Sequence, residues 1–424
     1  MFVIRRLEGF EILDSRGRPT VLARCELDGG AIGEASVPSG ASSGAAEARE
    51  LRDGDLSRYA GLGCRQAAQH IDTEIAAAFV GSRIADQAEL DGRLIALDGT
   101  PAKGRLGANT LLAVSLAFAR ACAAARRVPL YEHLAGLAVG VVPRLPRLTV
   151  NLFSGGKHAG GQVAVQDVLV VPHAGTIDDG LAVVYAVYHA AARLSYERFT
   201  YRLLRADEGG LAPLVDRTER LFDLAVDAIR AAGFHPGKVV SLALDVASSH
   251  FFHDGRYTID GEVLDSSAMI DRVAGWVEAY PIVSVEDGLS EEDWASWPLL
   301  FERLRGRART VGDDLLCTNP ARIRRAISLS AADTLLLKVN QIGTLTEAAE
   351  ALRLAREAGW HVTVSARSGE TEDHWLADLA VGWGADQIKV GSITQSERLA
   401  KYNRLLEIER TAPLTLGAWP ESCF

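Results

Sequence analysis

Apolar and polar residues alternate over the first 30 positions, with an Asp28-Gly29 turn inside the pattern. A period of two with a DG turn predicts antiparallel strands. Residues 33–46 (GEASVPSGASSGAA) are rich in Gly, Ser and Ala and read as a loop. From about residue 64 to 134 the periodicity turns helical, including ANTLLAVSLAFARACAAARR. Pro143 and Pro146, in AVGVVPRLPRLTV, mark a connection. The pattern divides the chain into an α+β domain over 1–138 and a second domain over 139–424.

In the second domain, helices expected at 216–232, 267–279, 345–358 and 395–410 alternate with short apolar runs. Six runs end on one marked residue: SLALD (Asp245), IVSVE (Glu286), RTVGD (Asp313), TLLLK (Lys338), HVTVSA (Ala366) and DQIK (Lys389). Successive endpoints lie 41, 27, 25, 28 and 23 residues apart, the length of a strand plus a helix. Such alternation predicts a parallel α/β sheet. Closed into a barrel, it would gather all six endpoints at one mouth.

Three of those endpoints are carboxylates, which repel one another unless a cation sits between them. An all-oxygen donor set suits a hard divalent ion, Mg2+ before others, and argues against zinc. Two endpoints are lysines, in a chain with six lysines and thirty-nine arginines. Arg cannot give up its proton, whereas Lys can when its surroundings lower its pKa. Lys338 is thus the candidate base for a proton alpha to a carboxylate, with a metal and Lys389 expected to favour its neutral form. Lys389 is expected to stay charged and hold a substrate carboxylate. Glu208, in RADEGGLAP, is placed to protonate a leaving hydroxyl. Gln166 and Asp167 fall in an apolar strand, where unpaired polar groups are costly. SGGKHAGG, with Lys157 and His158, lacks P-loop spacing.

Composition narrows the class further. The chain has 424 residues, 48% apolar and 24% charged, and a net charge of -10. That balance is ordinary for a globular protein and argues against a nucleic-acid or anionic-membrane surface. Five scattered cysteines without a CxxC pair read as reduced thiols, predicting a cytoplasmic protein. The N-terminus does not read as a signal peptide, and no stretch of about 18 apolar residues predicts a membrane span.

EILDSRGRPT, VPSGASSG, ELRDGD, PLYEHLA, SVEDG, VGDDL, LLKVNQIGTLTE, RSGETED, QIKVGS and ERLAKYN, in this order, resemble the signatures of the enolase family. The resemblance spans essentially the whole chain. It implies an α+β capping domain before an eight-stranded α/β barrel, a homodimer or higher homo-oligomer, and Mg2+-dependent interconversion of 2-phosphoglycerate and phosphoenolpyruvate. By the same resemblance Asp245, Glu286 and Asp313 hold a tight metal, and Ser42 reaches a second, substrate-borne one. Lys338 is the base, Glu208 assists departure of hydroxide, and Lys389 binds carboxylate. Asp167 stands at a catalytic glutamate position beside Gln166. His158, Arg367 and Ser368 lie against the phosphate.

The departures fall in the pocket. The family's HRSGET histidine is Ala366 here, its QEF glutamate is Asp167, and its SEF segment is Ser249-His250-Phe251. Loss of one oriented donor costs about 10²–10³-fold in rate, and an ångström of misplacement costs about 10²-fold. The expectation is a specialised enzyme of the same substrate class, acting on a phosphonate analogue as in carboxyphosphonoenolpyruvate formation from a nucleotide-activated phosphonoformate. Replacing His by Ala would make room for a larger phosphorus substituent, and His250 is the one candidate replacement for the lost imidazole. The alternatives are an ordinary enolase with a compensated pocket and a non-catalytic binding protein on the same fold.

Overall fold

The computed structural model describes residues 1–41, 44–138, 140–200 and 204–418. At the N-terminus, β1 (Phe2–Leu13) pairs antiparallel with β2 (Pro19–Leu27), and β2 with β3 (Ile32–Ser36). The two-residue β4 (Arg83–Ile84) joins β1 at the other edge, giving the order β3-β2-β1-β4. The expected loop at 33–46 therefore opens inside a strand. Its small residues serve packing: a Cβ on Gly33 would lie 2.2 Å from the carbonyl oxygen of Ala117. Five helices follow the strand pattern. They are α1 (Arg65–His70), continued by a π-turn into α2 (Ala76–Phe79), then α3 (Gln87–Asp98), α4 (Ala108–Arg126) and α5 (Leu130–Ala135). Helix α4 is the one helix among the described residues long and apolar enough to cross a membrane, and 83% of that stretch is buried inside the fold.

The rest is a closed eight-stranded barrel. Strand β5 (Arg147–Ser154) is followed by β6 (Asp167–Pro172), then helices α6 (Ile177–Phe199) and α7 (Thr218–Ala231), then β7 (Val240–Asp245). A small antiparallel sheet of β8 (Phe252–His253), β9 (Arg256–Ile259) and β10 (Glu262–Leu264) precedes α8 (Ser266–Ala279). Strands then alternate with helices: β11 (Ile282–Glu286), α9 (Trp297–Leu304), β12 (Arg309–Gly312), α10 (Pro320–Leu329) and β13 (Thr334–Leu337). Short α11 (Val339–Ile342) and α12 (Leu345–Glu357) lead to β14 (His361–Ser365), α13 (Trp375–Gly382), β15 (Gln387–Gly391) and α14 (Ser396–Thr411).

The barrel departs from the all-parallel expectation at β6, which runs antiparallel to both β5 and β7. No crossover helix joins β5 to β6. Their connection folds back on itself, Gly155 N–H donating to Gln166 O (2.8 Å) and Gly156 N–H to Val163 O (2.8 Å). A return without a crossover reverses strand direction. Asp167, first in β6, consequently lies level with Asp245, last in β7. Beneath them Leu169, Val171, Ala243 and Val283 form a small separate apolar cluster.

The N-terminal unit covers one end of the barrel. Ser39 pairs with Gly369, Ala48 N–H donates to Gln341 O (2.8 Å), and Ser15 N–H donates to Glu370 O (2.7 Å). These contacts reach the loops that follow β13 and β14, so the cap lies over the mouth where the strand ends converge.

Candidate functional site

Strand geometry delivers the side chains. Asp245 and Glu286 end β7 and β11, and Asp313, Lys338 and Ala366 each lie one residue past β12, β13 and β14. Lys389 is not an endpoint: β15 runs two residues further, to Gly391. It sits a layer below the rim, two residues from Gln387 on the same face, whose Nε2 donates to Thr149 Oγ1 (3.0 Å). From there its Nζ crosses the barrel and donates to Asp245 Oδ2 and to both Glu286 oxygens, each at 2.8 Å. Lys338 Nζ donates to Asp313 Oδ2 at 2.5 Å. Gln166 Nε2 donates to Asp245 Oδ2 at 3.1 Å.

Nine of the residues singled out in the sequence line one cavity of about 20 Å³. His158, Gln166, Glu208 and Asp245 stand on one side, and Lys338, Arg367, Ser368 and Lys389 complete it around Ala366. That volume holds about one water; the larger space that loss of the histidine was expected to open is not present beside Ala366. Asp167 is not part of the lining. Its Oδ1 accepts from Ser154 Oγ (2.6 Å) and its Oδ2 pairs with His158 Nδ1 (2.8 Å). His250 lines a separate pocket of about 830 Å³, with Arg18, Lys157 and Asp207 on its walls and Ala41 common to both spaces. It does not line the cavity beside Ala366. Ser42 lies outside the described residues.

Burial and charge set the protonation states. Burial pushes Lys389 down, but Asp245 and Glu286 outweigh it and hold the ammonium well above the ordinary lysine range. The expectation of a neutral Lys338 is reversed among the protein's own groups. Burial, Arg367 and Lys389 all lower it, yet Asp313 prevails and its pKa is raised. The neighbouring cations are outweighed by the carboxylate at 2.5 Å. Burial raises Glu208, but His158, Arg398 and the two lysines bring it below the carboxylate range. It is therefore ionised, unlike the protonated carboxyl a proton donor requires. His158 is pushed up to about 9, burial being overcome by Asp167 and Glu208.

The donor set fits a hard divalent cation. Asp245, Glu286 and Asp313 are all buried oxygen donors with no His or Cys among them. Negative charge is in excess around them: burial and Asp245 drive Glu286 well up, and burial and Asp313 push Asp314 up to about 7. The three do not come together within 4.8 Å, and each is paired with a lysine ammonium. Among the described residues, the groups whose ligand atoms lie within 4.8 Å of one another are His158–Asp167–Glu208 and Asp287–Asp313–Asp314. Asp287 is committed to structure, accepting from the backbone N–H of Asp313 (3.0 Å) and of Asp314 (2.7 Å).

Sequence reasoning passed over the residues that hold these groups. Glu47 of the cap grips Arg367 with both oxygens (3.1 and 3.2 Å). Gln341 Nε2 donates to Asp313 Oδ1 (2.9 Å), and Asn151 Nδ2 to Glu208 Oε2 (3.0 Å). From α14, Arg398 donates to the carbonyls of Arg367 (2.7 Å), Val390 (3.0 Å) and Ser368 (2.5 Å). Lys401 donates to Thr371 O (2.6 Å) and pairs with Glu370 (3.0 Å). LLKVNQIG carries Gln341 and ERLAKYN carries Arg398 and Lys401, while Glu47 and Asn151 lie outside the motifs; what the sequence does not display is the partner each meets across the fold.

Two family models match the chain. One, described as "Enolase, N-terminal domain", covers residues 4–134, and the other, "Enolase, C-terminal TIM barrel domain", covers residues 142–415.

Proposed function

The chain belongs to the enolase family, and from that premise we propose a Mg2+-dependent enzyme for a three-carbon acid like 2-phosphoglycerate or phosphoenolpyruvate, specialised for a phosphonate analogue. The observation that carries the specialisation is the pair of changes in an otherwise retained site. Ala366 offers no donor to the cavity, and Asp167 is turned out of the lining, while both lysines, Arg367 and Ser368 stay in place. A bound Mg2+ would supply positive charge for a developing enolate. Asp245, Glu286 and Asp313 would hold it. Lys389 would hold the substrate carboxylate, and Lys338, once relieved of Asp313, would take the alpha proton. Arg367 and Ser368 would take the phosphorus-borne oxygens. Beside the mouth, the pocket of about 830 Å³ gives space for a reactant bulkier than a three-carbon acid, consistent with a carboxyphosphonoenolpyruvate-forming reaction.

The second reading is an ordinary phosphopyruvate hydratase, favoured by the gathering of His158, Glu208, Lys338 and Lys389 around one cavity. Purified protein with 2-phosphoglycerate and Mg2+ separates the two. The specialised reading expects turnover at least about 10²-fold below a typical enzyme's kcat of ~10 s⁻¹, with phosphoenolpyruvate binding retained. Turnover at ordinary rates would sink it. We further propose a homodimer or higher homo-oligomer, which sedimentation of the purified chain tests directly.

A further inference from the structure

We infer that Asp167 is a positioning residue for His158, and that His158, through Nε2, gives the proton to the departing oxygen of the substrate. This rests on the reading above, that a three-carbon acid is the substrate and binds at the mouth these residues line. The placement is built into the β5–β6 pair. Ser154 and Asp167 are direct partners in the antiparallel register, and the Ser154 hydroxyl fixes one carboxylate oxygen at 2.6 Å. The other oxygen holds His158 Nδ1 at 2.8 Å. His158 ends a short 3-10 turn, Gly156–His158, whose first residue has φ 49°, and it is buried while lining the cavity.

With Nδ1 committed, only Nε2 remains to meet a ligand. It stands 3.7 Å from Glu208 Oε1, while Glu208 Oε2 is held by Asn151. Both carboxylate oxygens of Asp167 are spent within the protein, so it does not touch substrate. An aspartate that orients an imidazole fixes which nitrogen carries the mobile proton, and it stabilises the charged ring. Ala366 has removed the other imidazole of the family pattern, and His158 is the one histidine among the described residues lining the cavity.

The step balances without another reactant. Lys338, neutral once relieved of Asp313, takes the alpha proton, and the electron pair left on carbon forms the new C=C bond. The bond from the neighbouring carbon to the departing oxygen breaks, its electron pair staying on oxygen. The Nε2 proton moves to that oxygen, and the imidazole is left neutral with its Nδ1–H still donated to Asp167. Glu208, ionised beside Nε2, keeps the ring's charge until the proton leaves.

The test is a histidine NMR titration of the whole protein, with the His158 signal assigned by its loss in His158→Gln. Asp167→Asn should lower the His158 pKa by more than about one pH unit, since an opposite charge in contact is worth about 1–3 units. Ser154→Ala, which leaves the Asp167 charge in place, should move it by less. An unmoved His158 titration in a folded variant overturns the positioning role. No substrate is needed, so this readout stands apart from any failure of the proposed reaction. Residual turnover of 2-phosphoglycerate should fall by about 10²–10⁴-fold in His158→Gln. Asp167→Asn should add little to that loss in the double variant; factors that multiply would overturn the inference.

Discussion

Four of the chain's six lysines have side chains between 0% and 13% exposed: Lys401, Lys103, Lys389 and Lys338. Each meets a carboxylate with a single compact ammonium, where the wide fork of arginine would demand more room. Lys389 is the extreme case, serving Asp245 and Glu286 together. Replacing it with methionine leaves two buried carboxylates without their cation. Removing one partner of a buried pair costs about 3–5 kcal/mol. Urea unfolding of Lys389→Met in EDTA should show a loss of that order, and excess Mg2+ should recover much of it by binding the freed carboxylates. A variant as stable as the wild type in EDTA, or deaf to Mg2+, would contradict the metal site proposed at Asp245 and Glu286. At this scale the sequence disclosed identities better than states. The scarcity of lysine drew attention to Lys338, but its charge depends on a contact with Asp313 that spacing does not display. The shortening of glutamate to Asp167 was visible as a letter, whereas its partners Ser154 and His158 become evident only once β6 is known to run backwards.

Elements that repeat a simple period were legible. All six apolar runs are barrel strands, and the helices expected at 216–232, 267–279, 345–358 and 395–410 lie within two residues of α7, α8, α12 and α14. Failures came where a local pattern had a non-local cause. β3 hides in a small-residue stretch because α4 packs closely on it, and β6 reverses because its connection lacks a helix. The loop after β14 is a third instance, since its shape is set by α14. Arg398 is fully buried and satisfies the carbonyls of Arg367, Ser368 and Val390 with one guanidinium. Lysine cannot reproduce that fork. Arg398→Lys should cost about 1–3 kcal/mol in urea unfolding for the carbonyls left unsatisfied, and it should weaken phosphoenolpyruvate binding more than it weakens Mg2+ binding. Calorimetric titration of both ligands checks the split. Equal loss of both would mean that α14 supports the whole mouth and has no special hold on Arg367 and Ser368.

For the molecule as a whole, the histidines pull stability in opposite directions with pH. His133, His173 and His250 are lowered to about 4, burial being the largest cause in each, joined by Arg126, Arg147 and Lys157 respectively. The native state therefore favours their neutral forms. An unfolded histidine titrates near ~6.5, so their contribution is intact above that value and is lost as pH falls from about 6.5 towards 4. His158 behaves oppositely. Held at about 9 against burial by Asp167 and Glu208, its charged form adds stability that is full below ~6.5 and is lost as pH rises through about 9. Unfolding free energy measured across pH 4–10 should thus fall on both sides of neutrality. The acid and alkaline limbs have separate owners in the fold. His133 sits in α5 beside Arg126, and His158 sits in the mouth itself. His133→Phe should flatten part of the acid limb and leave the alkaline limb alone; His158→Gln should do the reverse. If both variants moved the same limb, the assignment of these two charges would be wrong. Retention of the alkaline limb in His158→Gln would remove the support that the ion pair with Asp167 gives to a protonated imidazole at neutral pH.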